Sequence, residues 1–140
     1  MPLGLAVGDA SWRVGSPDVL HAFFSTISVR LEPLGWGTRF PALLNDLYQG
    51  ELPVGAVETA LSELLLARRE LALLPSSAVV WDADDPAAPP PWGDAVAAPD
   101  LAHCFWTEDG RGLFDVVAAA LVLLREEPAG SLRIVETVAA

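Results

Sequence analysis

The chain has 140 residues, 52% of them hydrophobic, with 19 carboxylates against eight arginines and no lysine, for a net charge of −11. That composition excludes disorder, and the acidity argues against a surface built to neutralise phosphates, hence against nucleic-acid binding. The longest apolar run, Val116 to Leu124, is about half a membrane span, and the length suits one domain burying roughly two-thirds of its unfolded surface.

In chain order, Leu3 to Val7 and Ser11 to Val14 are β-prone runs either side of Gly8-Asp9-Ala10, which predicts a hairpin. A first helix follows: Ser16 can cap it, Pro17 suits its first position, and Leu20, Phe23, Phe24, Ile27 and Leu31 share one face until Pro33 and Gly35 end it. Gly35-Trp36-Gly37 reads as a turn, and Ala42 to Tyr48 as a short helix stopped by Gly50. A second long helix is expected from about Pro53 to Leu73, with Val54, Val57, Leu61, Leu64 and Leu71 on one stripe.

Ala78 to Trp81 reads as a buried strand, with Trp81 and Val79 facing the core, and His103 to Thr107 as another. Between them, residues 82–99 form a proline-rich acidic loop that cannot be regular structure. Leu113 to about Glu126 is helical and apolar nearly all round, so it is either central or a subunit interface, the latter giving a homodimer through 113–124. Leu132 to Val138 is the last strand. The expectation is a single α+β domain over 1–140, a small mostly antiparallel sheet of about five strands packed with three or four helices.

Charge is distributed unevenly. From Glu70 to Gly110 there are 41 residues without a lysine or arginine but with eight carboxylates and three tryptophans. Such a segment favours docking onto a basic partner, since complementary potential steers association and fixes orientation. The ends of this segment, Leu71 to Trp81 and Leu101 to Trp106, read as core. The candidate partner-facing residues are therefore Asp82, Asp84, Asp85, Trp92 and Asp94 in the loop and Glu108 and Asp109 in the following turn. Trp36 and Trp92, beside glycines in loops, are expected at the surface, and with Arg39 they are the candidate anchors, because tryptophan and arginine dominate binding hot spots.

Catalytic patterns are sparse. Two histidines 82 positions apart and one cysteine supply no zinc spacing. Asp82, Asp84 and Asp85 open like a calcium loop, but Pro86 and Ala87 stand where a ligand and the turn glycine belong. His103 and Cys104 are adjacent, so on a strand they face opposite ways; a buried structural thiol beside a surface histidine is expected. The two G-x-G fragments lack a third glycine and a P-loop lysine. No cofactor or metal is expected, and no enzyme. The rival reading is a small carboxylate-based hydrolase or calcium-binding protein, with Asp82, Asp84 and Asp85 sharing a cleft with Asp94 or Asp109.

The stretches HAFFSTISVRLE (His21 to Glu32), WGTRFP (Trp36 to Pro41), NDLYQGELP (Asn45 to Pro53), VVWD (Val79 to Asp82) and PPWG (Pro90 to Gly93) resemble the bacterial polymorphic-toxin family called immunity protein 70. The likeness runs from about Leu3 to Phe114 and includes no catalytic signature. It implies a small cytosolic antidote that binds and neutralises a cognate toxin. Toxins that attack nucleic acids present basic clefts, and an acidic inhibitor that occludes one would gain speed and complementarity from charge. No basic or apolar leader follows Met1 and the lone Cys104 forms no internal disulfide, which agrees with a cytoplasmic protein.

Overall fold

In a computed structural model, which describes residues 2–85, 87, 99–126 and 130–136, the first two apolar runs pair as the expected antiparallel hairpin, β1 (Leu3–Val7) and β2 (Ala10–Gly15). Gly8 takes φ +55° at the first position of the two-residue turn, a conformation that matches the twist of the flanking strands. β1 also pairs with β4 (Ser131–Glu136), which pairs with the short β3 (Glu51–Pro53). The four strands found among the described residues form one antiparallel sheet ordered β2-β1-β4-β3.

Strand periodicity then sorts the faces. Val7, Leu132 and Leu52 lie directly opposite one another across three strands and are all buried, as is Leu5. On the other face the paired Arg133 and Glu51 are exposed. Against the apolar face lies α3 (Leu113–Glu126), which packs on β1, β2 and β4 and on α2 (Val57–Leu71). The ion pairs Arg68–Asp115 (2.9 Å) and Arg125–Glu58 (3.9 Å) fix α2 and α3 as antiparallel neighbours. One face of the apolar helix is central: Leu113, Phe114, Val117, Leu121 and Leu124 of α3 are at most 2% exposed.

α1 (Pro17–Leu31) starts as its sequence dictates, with Ser16 Oγ accepting the Asp18 N–H at 3.1 Å, and it delivers Phe23 into the core. That ring meets Phe114, Phe24 and Phe105 edge-on, with centroids 4.8, 5.3 and 5.5 Å away. Truncating such a fully buried ring costs about 3–5 kcal/mol. The segment Ala42–Leu47 is helical, in π form.

Three expectations are corrected. The second long helix does not start at Pro53: that residue is extended and ends β3, at a strand end where proline is tolerated, and the next three, Val54–Ala56, form a 3₁₀ turn before α2. Ala78 to Trp81 is not a strand. A 3₁₀ turn, Ser76–Ala78, leads into an extended piece whose polar backbone groups are met by side chains of α1, and Val80, not Trp81 or Val79, is the residue buried there. Nor is His103 to Thr107 a strand. Asp100 caps a 3₁₀ turn, Leu101–His103, and only an isolated bridge, Trp106 to Gly112, remains.

Candidate functional site

The extended piece after Ser76–Ala78 forms a strap running antiparallel along α1. Thr26 Oγ1 donates to the Val80 carbonyl at 2.8 Å and accepts the Val80 N–H at 3.0 Å, Arg30 Nε donates to Ala78 O, and the Ala83 N–H reaches Ser25 Oγ at 3.1 Å. A polar side on α1 thus takes the place of a neighbouring strand. It carries Asp82, Asp84 and Asp85 to the surface.

Asp82 Oδ1 accepts the Asp84 N–H at 3.0 Å and lies 3.2 Å from His21 Nε2, while His21 Nδ1 is 3.0 Å from Tyr48 Oη. The amide of Asp84, then His21, hold the Asp82 carboxyl below its ordinary range. Burial and the nearby Asp84 and Asp82 push the Tyr48 phenol above its ordinary value. That array orders a carboxylate, but a phenol made harder to ionise is the opposite of an activated nucleophile. Asp84 and Asp85 are exposed, and neither makes an ion pair among the described residues.

Trp36 stands on the adjoining turn, half-buried rather than free in solvent. Its indole N–H donates to Leu44 O at 3.0 Å and its ring packs edge-on against Tyr48, centroids 4.9 Å apart. Below it the buried Glu32 carboxylate accepts three backbone N–H groups, from Gly37 (2.9 Å), Arg39 (2.9 Å) and Phe40 (2.8 Å). Gly37 takes φ +76° and any Cβ there would strike the Asn45 side chain. Trp36 and Asp84 both line one cleft of about 350 Å³. Arg39 is less available than expected, because its guanidinium forks onto Glu70 and also reaches Leu31 O; that bond raises the arginine and lowers the glutamate from their ordinary pKa values.

The Glu108–Asp109 turn is placed elsewhere, on the end of β2, through the Glu108 N–H to Val14 O at 2.8 Å. Both carboxylates are paired: Glu108 with Arg13, Asp109 with Thr107 Oγ1 and with Arg111. The Thr107 hydroxyl, chiefly, depresses the Asp109 carboxyl. Trp106, read from sequence as core, is 47% exposed here and shares a groove with Trp12, its N–H donated to His103 O at 2.9 Å. Trp92 and Asp94 lie outside the described residues.

Cys104 is buried, its thiol pushed up by burial, and His103 is exposed and bonded to Asp100 at 2.8 Å, so the two do not form a nucleophile and base. Among the described residues no group of three or more His, Cys, Asp or Glu could hold a metal ion, and no helix is long and apolar enough to cross a membrane. The sequence reading missed Glu32, whose signal was an acid at a helix C-terminus, where the dipole disfavours it unless donors converge.

The family model for immunity protein 70 matches residues 5–134, nearly the whole chain, and the chain belongs to that family. It is an immunity protein of a toxin system, and its family implies a cognate toxin as partner. No curated protein and no solved structure matches it.

Proposed function

We propose that this protein neutralises a cognate polymorphic-toxin domain by laying the Asp82–Asp85 face over a basic active-site cleft, in the cytoplasm and without catalysing a reaction. One observation carries the reading: Asp84 and Asp85 are exposed with no ion-pair partner among the described residues, and Asp84 shares a cleft with the partly exposed Trp36. Unpaired carboxylates project a field into solvent, and a positively charged cleft is the surface that gains from it. The toxin is read as basic and nucleic-acid-targeting, the inhibitor as a single domain that contacts neither nucleic acid nor membrane.

Mixing the protein with the toxin domain encoded beside it and measuring Kd against salt tests the reading. A complex that weakens steeply as salt rises is expected, since surface charges are screened within about 8 Å at physiological ionic strength. Absence of a complex at low salt sinks the proposal.

A further inference from the structure

We propose that the cleft between the Trp36 turn and the Ala83–Asp84 turn receives a single arginine side chain of the toxin. This inference rests on the reading of the acidic face given above and narrows it from a surface to one side chain.

The cleft of about 350 Å³ is lined by the Trp36 indole, by Asp84 and, from below the turn, by Glu32, whose carboxylate is already occupied by three amides. The indole has spent its only donor on Leu44 O, so what it can offer a newcomer is its π-face. Asp84 is exposed, its carboxylate without an ion pair among the described residues. A flat cation that stacks and pairs at once satisfies both walls. Arginine does so better than lysine, whose ammonium is a strongly hydrated point charge without a fork or a plane. An aliphatic side chain would cover the indole but leave Asp84 desolvated and unpaired.

The Trp36 wall is also built in advance. Glu32 grips three amides of the turn, Leu44 O and Tyr48 hold the ring, and Ser25 and Thr26 of α1 fix the strap that brings Ala83 and Asp84 to the cleft. Little ordering is left to be done on binding, which is the condition for a tight anchor.

Two arms test the inference. In the first, a capped Gly-Arg-Gly peptide is titrated into ¹⁵N-labelled protein while the Trp36 indole N–H resonance is followed, with the citrulline peptide as neutral control. A saturating shift with arginine, none with citrulline, and loss of the shift in Asp84→Asn are expected. No shift, or equal shifts with both peptides, overturns the proposal. In the second arm, Trp36→Phe and Asp84→Asn are each expected to weaken the toxin complex about tenfold, mainly through faster dissociation. Asp84 is exposed, so its variant does not endanger the fold even if Trp36→Phe does. Unchanged affinity in Asp84→Asn overturns the inference while leaving the acidic-face reading intact. If the wild-type protein forms no toxin complex, that reading fails, and the peptide arm alone decides the cleft.

Discussion

Glu32 and Glu63 between them meet five backbone donors in the loop after α1. Glu32 takes the amides of Gly37, Arg39 and Phe40; Glu63 takes those of Ala42 (3.3 Å) and Leu43 (3.0 Å), and Pro41 between them has none to offer. An unmet buried amide costs about 1–3 kcal/mol, so two acids replace a stretch of secondary structure. Burial nonetheless raises the Glu63 carboxyl above its ordinary 4.5, with the two amide bonds only partly offsetting it. The folded protein therefore binds that proton more tightly than the unfolded chain does. Glu63 costs stability at neutral pH, and the cost is relieved as the pH falls from its raised value toward 4.5. Asp82 and Asp109 act in the opposite sense. Held below the ordinary 3.8, their contribution is complete above that pH and is lost as the pH drops through their folded values. Denaturant titrations of wild type and Glu63→Gln from pH 7 to 3 should show the wild type gaining on the variant as the pH falls to about 4.5, both then losing stability. A difference that does not change with pH refutes this.

At the scale of elements, the strap along α1 replaces a strand with hydroxyl groups. Thr26 is 0% exposed and bonds both the N–H and the carbonyl of Val80. Thr26→Val keeps the shape and strands both groups. A loss of about 2 kcal/mol and faster hydrogen exchange at the Val80 amide are expected; exchange as slow as in wild type would show that the strap is held by packing alone. This element also marks where sequence legibility ends. The three long helices and the hairpin were readable, because apolar spacing and caps are local signals. Val79, Val80 and Trp81 have high β-propensity, and nothing nearby reveals that Thr26, 54 positions earlier, will satisfy Val80 in place of a strand. Trp106 was misplaced for a similar reason. Its alternation suited a strand, whereas Asp100 had already capped the chain into a turn. Of the candidate site, Trp36 and Asp84 were legible as residue types, but their meeting in one cleft follows from tertiary packing.

Across the whole molecule, the described part of the 41-residue run without Lys or Arg does not form one acidic surface. Arginines from outside the run reach into it: Arg13 and Arg111 pair with Glu108 and Asp109, and Arg39 pairs with Glu70, while Asp84 and Asp85 keep their field. Stopped-flow association with the toxin should therefore distinguish the two groups. Reversal by Asp84→Arg with Asp85→Arg is expected to slow association about tenfold or more at low salt, and reversal at Glu108 and Asp109 by much less. Equal effects would remove the strap from its role as the steering element.

The grip of Glu32 has a consequence for how such a protein could change its target. It holds the turn through amide hydrogens, which every amino acid but proline supplies, and so asks nothing of the side chains at positions 36 and 38. Gly37 is bound to its identity by its φ of +76° and by Asn45, and Phe40 by its burial in the core. The turn is a socket whose backbone mount does not depend on the contact residue, so a new toxin could be met by exchanging a side chain at position 36 or 38, at position 36 with loss of the contacts to Leu44 and Tyr48.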